Sequence, residues 1–300
     1  MRFVAGLVVG VLWAVAAVPA SADQGVYPKT PEERKAAYAA LHWEEAAGSY
    51  KLSTSHAIIQ MQSGEGLLLG ADAQRYSWLA SGIEFPQTEA VLSAPDGKSL
   101  VYYEWRDEGY VSDSDWKDVD GNELLKQYRD STDASNEERG KNGFEPMHVV
   151  GWLEPPHYDQ TTHTVTYAME LNDKDSHWAN AVALRLGRAG YTELTWVGSI
   201  DGFKTAGGRP DLLNEALGSH AFEEGFRYGD YQKGDKVAAY GIAGLVATAL
   251  GITYGKGIMA ALLALAVVGK KVGLILVAVI AYIAMRFRQL FAWWRPRRRS

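Results

Sequence analysis

Strict alternation of apolar and polar residues marks the middle of this chain. His148–Leu153, Thr162–Leu171 and Ala179–Val197 carry it, and the last reads as two strands around the turn "GRAG". Val165, Tyr167, Met169 and Leu171 fall on one face of the second run. Val182, Leu184 and Leu186 share a face of the third, with Arg185 pointing the other way. Upstream, Glu89–Ser93 and Ser99–Arg106 read as strands around "APDGK", and "AIIQM" and "GLLLG" in Ala57–Gly70 read as a short hairpin. Helical periods replace this pattern at Asp72–Ser81, in the stretch with Leu124, Leu125, Tyr128 and Thr132, and over Pro210–Glu224. Thr30-Pro31-Glu32-Glu33 is a capping box that starts a helix running to about Ala47. Strands joined by short turns, without regular βαβ alternation, predict an α+β domain: an antiparallel sheet with helices packed on it.

Both ends of the chain break the pattern. Met1–Ala22 has one early base, an apolar core over Phe3–Val18 and the small residues Ala20-Ser21-Ala22, which together read as a cleaved secretory signal. Residues 23–56 form a helical lead-in, and 57–236 the main domain. Val237–Gly255 is nineteen residues without a charge, close to a membrane span. Ala239, Ala243, Ala247, Gly251 and Gly255 fall four apart, a stripe where a second helix can pack. Two shorter apolar runs follow, Gly257–Gly269 and Val272–Met285. The expectation is a hydrophobic helical anchor over 237–291, with one crossing fitting better than three and the crossing run left open. The basic tail, 292–300, then lies in the cytoplasm.

Charge sharpens the division. Nine of the 30 bases lie from Val237 onward, where there is no acid, and Arg2 lies in the signal. Asp23–Lys236 therefore sets 20 bases against all 36 acids, a net charge of −16. Such a domain repels nucleic acid and anionic lipid, whereas the tail attracts anionic headgroups. The chain has no cysteine, which excludes thiolate nucleophiles, cysteine-ligated zinc and iron–sulfur clusters. The expected location is the inner membrane with the main domain in the periplasm.

Candidate chemistry is thin. "DEGYVSDSDWKDVDG" (Asp107–Gly121) holds six acids, but with Gly121 as the turn an EF-hand frame puts Trp116 at position one and Gln127 at position twelve. The stretch reads instead as a helix start capped by Asp113 or Ser114, in two pieces because of Gly121, and ending at Gly140 or Gly143. Pro155-Pro156 and Tyr158-Asp159 read as an ordered turn. His148, His157, His163 and His177 form no H-E-x-x-H pair, and no G-x-S-x-G elbow or phosphate-cradling loop occurs. No metal or cofactor is expected.

Five stretches in order, "DEGYVSDSDWKDVDGNELL", "ASNEERGKNGF", "VVGWLEPPHYDQTTHTVTYAMEL", "LRLGRAGYTEL" and "FRYGDYQKGDKVAAYGIAGLVA", resemble the signatures of one bacterial family. It comprises membrane-anchored proteins catalogued as domain of unknown function 2167. Where the family usually has Asp-Asp-Gly-Tyr, this chain has Asp107-Glu108-Gly109-Tyr110. The resemblance implies an exported, membrane-tethered domain and no activity. The polar residues inside these motifs are the site candidates: Asn136, Arg139, Trp152, Tyr158, Asp159, Arg185 and Arg188. Were they to converge, they would line a cleft for a carboxylate or phosphate. Otherwise they are a solvated helix end, an Asx-turn and a fold-fixing Arg185–Asp159 pair. Three functions stay open. The favoured one is a binding module anchored to the bilayer, with an envelope protein as partner. The others are a periplasmic hydrolase-type enzyme and a homo-oligomeric membrane component.

Overall fold

The computed structural model describes residues 27–250, apart from 29, 82–84, 96, 98, 142–144 and 206–209. The expected signal, most of the apolar stretch from Val237 onward and the basic tail lie outside the described residues.

α1 (Pro31–Ala39) begins as the sequence indicates. Thr30 Oγ1 accepts from Glu33 N at 3.1 Å, and the Glu33 carboxylate accepts from Thr30 N at 3.1 Å. It stops well short of Ala47 because the backbone of Glu44 bonds that of Leu67 in both directions, at 2.8 and 2.9 Å. A strand that the sequence did not reveal, β1 (Gly48–Leu52), follows.

β2 (Ala57–Met61) and β3 (Gly66–Leu69) are strands but not a hairpin. β2 pairs with β1 and with β10 (His220–Phe222), making a three-stranded sheet. β3 pairs with β4 (Thr88–Ser93) at the rim of a second sheet. The two runs are apolar and four residues apart, so local sequence favours pairing; the sheets' competing edges send them apart. α2 (Gly70–Ser81) packs on β4.

The large sheet has the order β3-β4-β5-β9-β8-β7-β6 and is antiparallel throughout. Its further strands are β5 (Leu100–Arg106), β6 (His148–Asp159), β7 (Thr164–Asn172), β8 (His177–Leu186) and β9 (Tyr191–Ser199). The α+β class with antiparallel sheets is thus observed. The core lies between one face of this sheet and the small sheet with α5 (Asp211–Ser219). Ile59 and Met61 of β2 and Leu213 and Leu217 of α5 meet Tyr103, Leu194 and Trp196 there. Ala179, Ala181 and Ala183 on β8 face the same core, leaving room for those rings.

Three further expectations fail for tertiary reasons. Pro155 and Pro156 are not in a turn but inside β6. They are tolerated because β6 is an edge strand whose register slips at three places between Val149 and His157. Arg129 covers part of that edge, its Nε donating to Val149 O at 3.0 Å and its Nη2 to Val150 O. The helix after the acidic stretch, α3 (Gly121–Lys141), is capped by Asp120, whose Oδ1 accepts from Asn122 N at 2.9 Å and Glu123 N at 3.2 Å. Asp113 and Ser114 are not its caps; a separate 3-10 turn at Trp116–Asp118 precedes it. Finally, Pro210–Glu224 is not one helix, since α5 ends at Ser219 and β10 is drawn into the small sheet. α4 (Ile200–Thr205) was not expected.

Among the described residues no helix is long and apolar enough to cross a membrane. Within Val237–Gly255 the described part is an extended lead and α6 (Ile242–Ala249). Ala243 and Ala247 of the small-residue stripe sit on α6, with Ala247 buried; Gly251 and Gly255 lie outside the described residues.

Candidate functional site

The nominated residues do not line one cleft. Asn136 on α3 grips the backbone of Met147, donating through Nδ2 to its carbonyl and accepting from its N–H through Oδ1, each at 2.8 Å. Trp152 Nε1 donates to Gly121 O at 2.8 Å, pinning the start of α3 to β6. Asp159 holds an Asx-turn, accepting from Thr161 N at 2.8 Å and Thr162 Oγ1 at 2.9 Å. Those donors keep its carboxyl below the usual range. Arg185 does not pair with Asp159; its Nη1 donates to His220 O at 3.1 Å, and burial lowers its pKa. Arg188 binds Asp235 in a fork, Nε to Oδ2 and Nη2 to Oδ1, each at 2.8 Å, and donates through Nη1 to Gly225 O at 3.1 Å. This pulls the Asp235 carboxyl down to about 2. The side chain of Arg139 lies outside the described residues.

What does converge is a different set from the same motifs. The backbone of Tyr110 brackets the lead to α6, donating to Lys236 O at 2.8 Å and accepting from Ala238 N at 2.9 Å. Gly109, with φ +91°, makes this possible, because a Cβ there would sit 2.7 Å from Lys236 O. Ile242 N donates to Asp115 Oδ1 at 2.9 Å and Ser112 O at 3.1 Å, so Asp115 caps α6 from a distant part of the chain. Tyr228 donates to Val111 O at 3.0 Å. Arg188 N donates to Phe226 O at 2.9 Å. Residues 225–242 are therefore clasped by 109–115 and by Arg188.

Four rings line up through this clasp, the three tyrosines stacked and His163 tilted against Tyr228. His163 and Tyr228 lie 4.2 Å apart, Tyr228 and Tyr110 4.6 Å, and Tyr110 and Tyr231 4.2 Å. At one end stands a hydrogen-bonded trio. Tyr158 Oη donates to Asp113 Oδ2 at 2.8 Å and lies 3.0 Å from His163 Nδ1. The phenol has one proton, already given to Asp113. His163 must then donate through Nδ1. Burial and then the Asp113 bond raise the Tyr158 pKa far above its ordinary value, so the phenol stays protonated. His163 holds φ +50°, a conformation uncommon for a residue with a Cβ. His163 belongs to no recognised histidine pattern in the sequence. The available signal was its place with Tyr158 at the two ends of one tight hairpin.

A second group was missed altogether. Glu104 on β5 and Glu193 on β9 are cross-strand partners, both almost fully buried. Arg106 Nη2 bonds Glu104 Oε2 at 2.9 Å and lies 3.9 Å from Glu193 Oε2. Gln87 Nε2 adds a bond to Glu104 at 3.1 Å. Burial raises both carboxyls, with Arg106 opposing; Glu193 stands well above the ordinary glutamate range. The signal lay in "VYYEWR" and "YTELTW", where an acid interrupts an otherwise apolar strand. Among the described residues no three potential ligands cluster to hold a metal.

Residues 44–281 match the family model described as "Protein of unknown function (DUF2167)". The chain belongs to this family. Its DUF2167 signature stretches "DEGYVSDSDW", "HYDQTTH", "GRAG" and "FRYGDYQKGDK" build the clasp and its ring stack. No curated protein matches the chain. Among solved structures, one match is the solution structure of cyanobacterial PsbP (CyanoP) from Synechocystis sp. PCC 6803. It is 9% identical with a TM-score of 0.37, over 60% of this chain and 94% of that one, and a likeness so distant carries no argument.

Proposed function

We propose that this DUF2167 protein is a binding module of the bacterial envelope, held at the inner membrane by its C-terminal part with the acidic domain in the periplasm. The observation that carries this reading is the clasp. The lead into the apolar C-terminal stretch is not a loose linker; residues 225–242 are bonded to the domain by the Arg188–Asp235 fork, the Tyr110 bracket and the Asp115 cap. A protein that only needs to stay near a membrane can use a flexible tether. A lead bonded at successive points keeps residues 225–242 on the domain, which suits a part built for a defined contact with a partner. The net charge of −16 over Asp23–Lys236 keeps that surface off anionic headgroups and gives it a preference for basic partners.

The hydrolase alternative loses its motivating cleft, since Tyr158, Asp159 and Arg185 serve separate local contacts. The test is fractionation of cells carrying the full chain, followed by crosslinking and capture from solubilised envelopes. The expected result is a protein without its leader in the membrane fraction, carrying an envelope protein with it. Full-length product with the leader attached in the soluble cytosol would sink the proposal.

A further inference from the structure

Val237–Gly255, nineteen residues without a charge, is the run whose length comes nearest to a membrane span. The folded domain has already taken up most of it. Tyr110 N donates to Lys236 O at 2.8 Å, Ala238 N donates to Tyr110 O at 2.9 Å, and Val237 pairs with Tyr110 as a parallel bridge. The chain is not helical from there to Gly241. α6 starts at Ile242, whose N–H is shared by Asp115 Oδ1 and Ser112 O. Its eight residues end at Ala249, and the capping residue, Leu250, donates its N–H to Val246 O at 3.0 Å.

Lengths decide what this run can do. Eight helical residues rise about 12 Å, against roughly 30 Å of hydrocarbon. A helix from Ile242 to Gly255 would rise about 21 Å, still short. The five residues before it cannot make up the difference. Non-helical backbone finds no partner in lipid, and theirs is bonded to Tyr110 instead. α6 is also part of the domain by its packing. It lies against the 3-10 turn at Trp116–Asp118, and Ile242, Leu245 and Val246 are 0% exposed. The compact unit that contains the domain runs to Thr253. The Asp115 carboxylate would have to follow α6 into lipid, where an ionisable group is expensive.

We propose that Val237–Gly255 is the last part of the periplasmic domain and not a span, and that the bilayer is crossed once, by Val272–Phe291. This rests on the domain being held at the membrane and names the segment that holds it. Gly257–Gly269 is thirteen residues between Lys256 and Lys270-Lys271, about 20 Å of helix. Val272–Phe291 is twenty residues, about 30 Å. Its two charges, Arg286 and Arg288, lie toward the end that meets Trp293, Trp294 and the terminal arginines. Long side chains there reach the headgroups, and a positive flank faces the cytoplasm. The small-residue stripe changes meaning with this. Ala243 and Ala247 sit on a helix of the domain, with Ala247 1% exposed, so the stripe is not a seam between two spans.

The chain has no cysteine, so single cysteines report position without background. Thr248→Cys lies at an exposed position of α6, Ala281→Cys at the middle of Val272–Phe291, and Ser300→Cys in the tail. Each full-length variant is expressed in cells, and spheroplasts are treated with a membrane-impermeant maleimide. Thr248→Cys should react in intact spheroplasts, Ser300→Cys once the membrane is permeabilised, and Ala281→Cys only in detergent. Thr248→Lys, as a second variant, should stay in the membrane fraction at the wild-type level, because its charge is added outside the bilayer. Four results would each overturn the proposal: Thr248→Cys shielded until detergent is added, Ala281→Cys reacting in intact spheroplasts, Ser300→Cys reacting from the periplasmic side, or Thr248→Lys lost from the membrane. Carbonate washing of the same membranes separates the two readings. A wild-type chain that washes off sinks the tether and the crossing with it. A chain that stays while Thr248→Cys is shielded sinks the choice of run alone.

Discussion

Replacing Glu193 with glutamine should stabilise the protein near neutral pH. Glu193 is 1% exposed, and its Oε2 lies 3.9 Å from Arg106 Nη2, beyond hydrogen-bond range. Arg106 is committed to Glu104 at 2.9 Å. Burial, with the neighbouring Glu104 adding to it against Arg106, raises the Glu193 carboxyl well above the ordinary 4.5. The folded protein therefore holds a proton that the unfolded chain releases. Stability from this group is full below the unfolded pKa and is lost as pH rises toward the folded one. The loss is at most about 1.4 kcal/mol per pH unit, or about 2.7 kcal/mol between pH 5 and pH 7. Glutamine keeps the shape and has nothing to ionise. Urea unfolding of the full chain, followed by tryptophan fluorescence across this pH range, should give Glu193→Gln a flatter dependence and a stability at pH 7 equal to or above wild type. If Glu193 were instead an ionised partner of Arg106, its removal would cost about 3–5 kcal/mol. A variant less stable than wild type at pH 7, with the same slope, would refute the reasoning.

Tyr158→Phe leaves Asp113 and His163 without their shared hydroxyl. Both are about one-third exposed, at 31% and 34%, so water recovers part of the loss. About 1–2 kcal/mol should disappear from the unfolding free energy, and no loss would deny the trio a structural role. Asp235→Ala removes both acceptors of the Arg188 fork. Trypsin should then cut faster at Arg227, Lys233 or Lys236, and an unchanged digestion pattern would show the clasp does not depend on the fork. Gly109→Ala forces a side chain into φ +91° and against Lys236 O; chemical denaturation should reveal a loss of about 1–3 kcal/mol, and wild-type stability would contradict the close approach.

The alternation over Thr162–Leu171 and Ala179–Val197 determined β7, β8 and β9 almost to their ends, because a period of two has one structural solution when both flanks are short turns. The box at Thr30–Glu33 likewise determined where α1 starts, since all its partners lie within one turn. Whatever needed a partner far along the chain was not legible. "AIIQM" and "GLLLG" look like two halves of a hairpin until β10 and β4 compete for their edges. Pro155-Pro156 reads as a turn until β6 proves to be an edge strand that tolerates them. The acids of "DEGYVSDSDW" look like one helix start, yet Asp113 serves Tyr158 and Asp115 serves Ile242, 127 positions away. Glu104 and Glu193 are unremarkable alone and become a buried pair only when β5 lies beside β9. Local geometry is set by neighbours in sequence, whose bonds form within a few residues. Burial and charge pairing are set by neighbours in space, and only the folded sheet chooses those.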